Sequence, residues 1–217
     1  MFTGIIEAVG TVASLVRKDH QARMRVDTNP QFTGFEMGES IAVNGVCLTV
    51  VDRGEHWFAV DMTPETLSRT SFKQVKEGSR VNLERALTPS KKMSGHFVTG
   101  HIDNVASIVS IEEKPGEVLF RFEHPPELAP YLIEKGSAAV DGISLTVFDC
   151  RDRRFTVSII PFTLEHTNLK DRKTGDIVNI ECDMIGKYVI RACETLFKNS
   201  ETSGTISMEF LKQQGFV

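Results

Sequence analysis

At 217 residues the chain has room for one large domain or two small ones. A hydrophobic share of 41% is ordinary for a globular protein, and the sparse aromatics include a single tryptophan, Trp57. A formal net charge of -4 leaves no electrostatic footprint for nucleic acid or an anionic membrane, and no apolar run approaches the roughly 20 residues of a membrane helix.

The opening Met1-Phe2-Thr3-Gly4 has no basic region and no apolar signal core, so no export is expected and a cytoplasmic location is the simplest expectation. From there, Val9, Thr11, Ala13 and Leu15 alternate with Gly10, Val12, Ser14 and Val16, which reads as a strand. Ile41 to Val51 reads as two strands around a turn at Asn44-Gly45, because Asn-Gly between apolar runs is a strong hairpin signal. A strand at 57–62 leads into Thr63-Pro64-Glu65-Thr66-Leu67, a helix start with Thr as cap and Pro in the first turn. Another strand is expected at 80–85. A polar seam, Thr88-Pro89-Ser90-Lys91-Lys92, then interrupts the pattern. Strands follow at 105–111, 117–122, 138–148 (turning at Asp141-Gly142), 154–160 and 176–182. In the tail, Ile185, Tyr188, Val189, Ala192 and Leu196 recur at helical spacing, and a shorter helix is expected from Ser207 to Gln213.

Sliding the chain against itself by 96 to 97 positions reveals a tandem repeat. Thr3-Gly4-Ile5-Ile6-Glu7 falls on Thr99-Gly100-His101-Ile102-Asp103, and Val43 to Val50 falls on Val140 to Val147. Phe58 to Leu67 falls on Phe155 to Leu164, and Gly78 to Glu84 on Gly175 to Glu181. The expected organisation is a first unit over 1–94, a second over 95–184 and a helical tail over 185–217. About six short strands with one short helix per unit suggest a small closed barrel, with a two-sheet sandwich as the rival. The tail helix suits either covering a barrel of its own chain or pairing with copies from other chains.

The spacings of Cys47, Cys150, Cys182 and Cys193 fit neither a zinc site nor a redox pair, and reduced thiols are expected. His96 and His101 have no third ligand near them in sequence, which speaks against a metal site. Each copy has a polar cluster at equivalent places: Ser40, Cys47 and Thr49 against Ser137, Ser144 and Thr146. Residues two apart share a strand face. If that face turns inward near a barrel mouth, these groups are poised for a polar ligand; the plainer reading is that small hydroxyls fill tight positions. The copies also diverge chemically. Ile5 becomes His101, Cys47 becomes Ser144, Asp61 becomes Ser158, Glu65 becomes Phe162, and Lys135 stands where the first copy has Gly38. Two sites that treat two ligands differently would need such divergence, and drift would also produce it.

The opening Met-Phe-Thr-Gly-Ile-Ile-Glu, the motif Asn44-Gly45-Val46-Cys47-Leu48-Thr49-Val50 and the stretch Gly95 to Asp103 together resemble the riboflavin synthase family. So do Val81 to Leu87, Asp141 to Val147 and Ser207-Met208-Glu209-Phe210-Leu211. The resemblance spans essentially the whole chain. Ser71 departs from the Asn expected after Thr70, and Lys91-Lys92-Met93-Ser94 is a loose version of the segment before Gly-His-Phe.

The resemblance implies an all-β fold of two tandem six-stranded Greek-key barrels plus a C-terminal helix that assembles a homotrimer. It implies a transferase that joins two molecules of 6,7-dimethyl-8-ribityllumazine, moving a four-carbon unit to give riboflavin and a ribitylamino-pyrimidinedione with no metal or cofactor. Association with a lumazine-making synthase is a further partner that the resemblance leaves open. Carried over by position, the first-barrel pocket comprises Gly4, Ile5, Ile6, Ser40, Cys47, Leu48, Thr49, Asp61, Met62, Thr63, Pro64, Glu65 and Thr66. The second comprises Gly100, His101, Ile102, Lys135, Ser144, Leu145, Thr146, Ser158, Ile159, Ile160, Pro161, Phe162 and Thr163. His101 is the first choice for proton transfer, and Cys47 and Ser144 for positioning or forming the nucleophile. Ser40, Lys135, Asp141 and Asp183 are further catalytic candidates, although Asp141 is also explained by its turn and Asp183 by a helix cap. Phe2 either orders the N-terminus against the site or packs in the core. A non-catalytic lumazine- or flavin-binding antenna on the same fold is the alternative; a purely structural subunit leaves both polar clusters unexplained.

Overall fold

The computed structural model describes residues 1–18, 21–202, 212 and 215. Its strands are β1 (Ala8–Lys18), β2 (Gln21–Asp27), β3 (Ser40–Val43), β4 (Val46–Arg53), β5 (Trp57–Met62) and β6 (Arg80–Arg85), then β7 (Asn104–Lys114), β8 (Glu117–Glu123), β9 (Ser137–Val140), β10 (Ile143–Arg151), β11 (Arg154–Ile159) and β12 (Ile177–Cys182). They form two closed barrels of six antiparallel strands, ordered β1-β2-β5-β4-β3-β6 and β7-β8-β11-β10-β9-β12. Strand β2 pairs with β5 rather than β3, the Greek-key step, and β8 pairs with β11 likewise. Closure removes exposed sheet edges, which an open sandwich would leave.

Strand β2 escaped the sequence reading. Its exposed Gln21, Arg23, Arg25 and Asp27 mask a strict alternation with buried Ala22, Met24 and Val26. The inner face of each barrel is filled by apolar side chains. Met24, Val26, Phe58, Val60 and Leu83 pack in the first barrel, and Phe120, Phe122, Phe155, Val157 and Ile180 in the second. A helix α1 (Pro64–Arg69) begins on the expected cap, with the Thr63 hydroxyl accepting the Thr66 N–H. Its counterpart α2 (Pro161–Glu165) follows Ile160, which offers no such oxygen.

The chain divides into Met1–Asp183, which contains both barrels, and Met184–Val217. In the second unit, α3 (Met184–Thr202) exposes Ile185, Tyr188, Val189 and Leu196 of the expected stripe. The expected Ser207–Gln213 helix lies outside the described residues, apart from Lys212.

The barrels meet where their equivalent hairpins face each other. Asn44 (φ 45) and Gly45 (φ 78) form one turn, Asp141 (φ 44) and Gly142 (φ 81) the other, as two-residue hairpin turns with positive φ require. A Cβ on Gly45 would lie 2.7 Å from the Gly142 nitrogen, and one on Gly142 equally near the Gly45 nitrogen. Only glycine permits that approach. A buried polar network surrounds the contact. Asn82 donates to the Asp141 carbonyl (3.0 Å), and Asn179 donates to the Asn44 carbonyl (2.8 Å). Asn168 donates to both Asn44 (3.1 Å) and Asp141 (3.0 Å), and Arg172 is ion-paired with Asp141. Ser71 is the first-copy counterpart of Asn168 at the repeat offset. Its N–H donates to Asn179 (2.6 Å), but its hydroxyl has no hydrogen-bond partner in the structure. This departure from the family pattern therefore falls in the junction itself.

Candidate functional site

The two polar clusters lie on the outside of the barrels, contrary to an inward-facing arrangement. In β4, Val46, Leu48 and Val50 are buried while Cys47 is half-buried and Thr49 exposed. In β10, Ile143 and Val147 are buried while Ser144 is half-buried and Thr146 exposed. A six-stranded barrel is too narrow to hold both its apolar core and a ligand, so the inner face went to packing. Ser40 and Ser137 sit directly across from Thr49 and Thr146. Leu48, Met62, Leu145 and Ile159 turn toward the cores, which leaves only their backbone for a ligand.

A second correction concerns which barrel each Thr-Gly segment serves. The Gly4 carbonyl accepts the Ser144 N–H (2.8 Å), and the Gly100 carbonyl accepts the Cys47 N–H (2.9 Å). Ile6 packs on the second core and Ile102 on the first. Gly4, Ile5 and Ile6 therefore border the second-barrel cluster, and Gly100, His101 and Ile102 the first. Steric fit sets this. A Cβ on Gly4 would lie 2.6 Å from the Ser144 Cβ, one on Gly100 2.5 Å from the Cys47 Cβ, and both glycines have positive φ (75° and 84°). Buried carboxylates hold the segments in place. Glu84 accepts from the Thr3 N–H and hydroxyl (2.7 Å each) and the Gly4 N–H (2.9 Å). Glu181 does the same for Thr99 (2.6 Å each) and Gly100 (2.9 Å). Burial raises the Glu84 pKa, opposed by the Thr3 and Gly4 bonds and by Lys91. Phe2 is wholly buried and bridges Val98 across the seam, so it packs in the core and ties the two segments together.

The first-barrel cluster thus gathers Ser40, Cys47, Thr49, Asp61 and the α1 start, with His101 exposed on its lip. Arg23 grips both Asp61 oxygens (2.7 and 2.9 Å) and holds that carboxyl below its ordinary range. Thr63 and Thr66 share a hydroxyl contact of 3.0 Å, and Glu65 pairs with Arg69 at 3.5 Å. The second-barrel cluster gathers Ser144, Thr146, Ser158 and the α2 start, where Ile160, Pro161 and Phe162 are exposed and Thr163 half-buried. Phe162 stacks on His166 with ring centroids 4.1 Å apart. Lys135 places its ammonium 5.0 Å from the Phe148 ring centroid and keeps φ at 63°, where its counterpart Gly38 has 84°. A lysine in that region is strained, and such strain concentrates at functional positions.

Asp141 is fully buried in the junction network, bonded to Asn168, the Asn179 N–H and Arg172. It touches neither cluster's open face. Asp183 is half-buried directly before α3.

One residue was weighed only as a metal ligand. His96 Nδ1 lies 2.7 Å from the Ser144 hydroxyl, and the His96 backbone N–H donates to the Thr3 carbonyl (3.2 Å). Burial lowers its pKa, against an opposing pull from Asp183. A neutral imidazole bonded to a hydroxyl can take its proton. Comparison of the two copies did not find it, because His96 lies outside the segments that align. Among the described residues, no group of three or more His, Cys, Asp or Glu side chains is placed to hold a metal.

The lumazine binding domain model matches residues 3–86 and again 99–183. Riboflavin synthase of Bacillus subtilis is 43% identical over 216 residues, covering 100% of both chains. The chain belongs to the riboflavin synthase family. Riboflavin synthase of Actinobacillus pleuropneumoniae is 44% identical over 218 residues, again covering both chains fully, and that of Schizosaccharomyces pombe is 39% identical over 196 residues, covering 89% of this chain and 94% of its own. Riboflavin synthases are transferases, and the enzyme reading of this chain stands. Crystal structures of LumP with riboflavin and with 6,7-dimethyl-8-ribityllumazine superpose with TM-scores of 0.79 and 0.77, each covering 84% of this chain and 99% of that one. At 23% identity these likenesses show the shared duplicated-barrel fold.

Proposed function

We propose that each outer-face cluster of this riboflavin synthase binds one molecule of 6,7-dimethyl-8-ribityllumazine, and that two such molecules react to give riboflavin and 5-amino-6-ribitylamino-pyrimidinedione. The observation that carries the reading is the pairing of equivalent outward polar strands, Cys47/Thr49 and Ser144/Thr146, each bordered by the other copy's Thr-Gly segment. The backbone of these extended strands matches the amide-like edges of the lumazine ring. Asp61, Thr63, Thr66 and Thr163 suit the ribityl hydroxyls, and Ile6, Ile102 and Ile160 suit the ring faces.

The overall reaction balances without an oxidant, a reductant or net water. Its first demand is orientation. Stacking two rings in one fixed relation converts a bimolecular step into an intramolecular one, worth roughly 7–11 kcal/mol. Both clusters are open on their outer side, which suits closure by a neighbouring chain that brings its own bound substrate. The exposed stripe of α3 supports a homotrimer as the assembly that arranges this. The second demand is proton transfer from the acidic 7-methyl group of one lumazine. The His96–Ser144 pair suits that step or the activation of a water at the second barrel, with His101 poised at the lip of the first. Among the described residues no histidine bonds Cys47, but a thiol needs less help than a serine hydroxyl to act as a nucleophile. Lys135 and Ser40 line the sites as positioning groups, and Asp141 and Asp183 act through the structure around them. A cytoplasmic enzyme able to dock with its lumazine-supplying synthase completes the reading.

The test is direct. Purified protein mixed with the lumazine alone is expected to release riboflavin and the pyrimidinedione in equal amounts, read by absorbance and chromatography. Tight lumazine binding without riboflavin would replace this reading with the antenna one.

A further inference from the structure

We infer that the first barrel, and not the second, has a subsite for a 5′-phosphate on the ribityl chain, with Arg23 as its binding residue. The inference rests on the lumazine-site reading and extends it to phosphorylated flavins.

Beside Asp61 lies a cavity of about 400 Å³ lined by Val16, Gln21, Arg23 and Asp61. Arg23 faces Asp61 across the β2–β5 pairing and binds both carboxylate oxygens, through Nε and Nη2. A guanidinium has five N–H donors, so about three remain for a ligand. Both partners are accessible, with 56% and 37% of their side chains exposed. The Arg23 and Asp61 charges offset each other, with Asp52 adding a smaller negative pull on Arg23, and the remaining guanidinium donors are left for a ligand.

Strand register identifies the matching positions in the second barrel. Val16 pairs with Arg23, which pairs with Asp61; Glu112 pairs with Leu119, which pairs with Ser158. Gln21 matches Glu117 by the same register. Arginine is thus replaced by leucine, and Val16 and Gln21 by glutamates. Glu117 accepts the Ser158 hydroxyl, and Glu112 has Lys114 at 3.5 Å. A phosphate monoester carries about -1.5 to -2 charges near neutral pH. It meets a guanidinium fork at the first barrel and carboxylates at the second. The unphosphorylated ribityl chain is neutral and feels little of this contrast.

The full chain is titrated with riboflavin and with riboflavin 5′-phosphate, following flavin fluorescence and the ³¹P resonance. Riboflavin is expected to fill two sites per chain and the phosphate ester one, with ester affinity falling as salt rises. Arg23→Leu is expected to weaken the ester about tenfold or more and riboflavin by clearly less, since both lose the support of Asp61 but only the ester loses its guanidinium. Leu119→Arg combined with Glu117→Gln should open a second ester site. The inference is overturned if the ester fills both barrels equally, or neither while riboflavin binds. It is also overturned if Arg23→Leu weakens both flavins alike, since Arg23 would then merely hold Asp61. Loss of all flavin binding by the unmodified chain would instead remove the lumazine-site reading on which the inference rests.

Discussion

The two barrels share strand order, hairpin turns and buried glutamates, yet their outer faces carry different chemistry. The first presents Cys47, Asp61 with Arg23, and the exposed His101. The second presents Ser144 with its histidine, a stacked Phe162–His166 pair and the strained Lys135. The shared glutamates and hairpin turns maintain the backbone, and several of the differences lie on the outer faces. A serine hydroxyl needs a base to become reactive, and among the described residues Ser144 has His96 within hydrogen-bond reach. On the proposed reading, the difference between the barrels divides two roles on an almost symmetric frame.

The comparison can be broken most forcefully at the two lip glycines. Gly100→Ala adds a Cβ 2.5 Å from Cys47 at a positive φ, and Gly4→Ala does the same against Ser144. Misplacement by about 1 Å can cost on the order of 100-fold in rate. Each variant should lose at least that in kcat/KM, with binding of a flavin product lost at one site per chain. Gly4→Ala should empty the second barrel and Gly100→Ala the first, resolved by ¹⁹F or ¹³C resonances of labelled ligand. The reverse assignment would refute the exchange of lips.

His96 sharpens the contrast between the serine and cysteine copies. His96→Gln should lower kcat by about 10² to 10⁴ if the imidazole moves a proton. Its folded pKa lies below the ordinary 6.5 because burial disfavours the charged ring. Folding therefore releases a proton here. The stability this neutral ring contributes is complete above the unfolded value and is lost as pH falls through the lower folded value. Activity should show an acid limb below about pH 6.5, and that limb should vanish in His96→Gln. A limb that persists in the variant would assign it to another group.

The smallest effect is expected at Lys135. Replacing it with glycine, the residue of the first copy, relieves a left-handed conformation and should stabilise the fold by about 1 kcal/mol. Activity should fall at the same time. A variant that is more stable and fully active would show that the lysine is drift.

The hairpins, the Thr63 cap and the duplication were legible in the sequence because each depends on local rules: positive φ at Asn-Gly and Asp-Gly, a hydroxyl before a proline, identity at a fixed offset. Strand β2 was hidden by its charged outer face, although its alternation is strict. Three features of the site lay beyond local reading. Which face of β4 turns inward depends on barrel diameter. Which barrel Gly4 and Gly100 serve depends on how the copies dock, and sliding a sequence against itself cannot distinguish a segment that stays from one that crosses. The His96–Ser144 contact spans 48 positions and has no echo in the other copy.

The crossing of the Thr-Gly segments has a consequence for heredity. A substitution near the first residue of the chain is felt in the second half, and one near residue 100 in the first. Neither half can be inherited, lost or exchanged as an independent module without leaving the other's pocket open on one side. The two copies are in this respect one unit, each cluster complete only with the other copy's Thr-Gly segment.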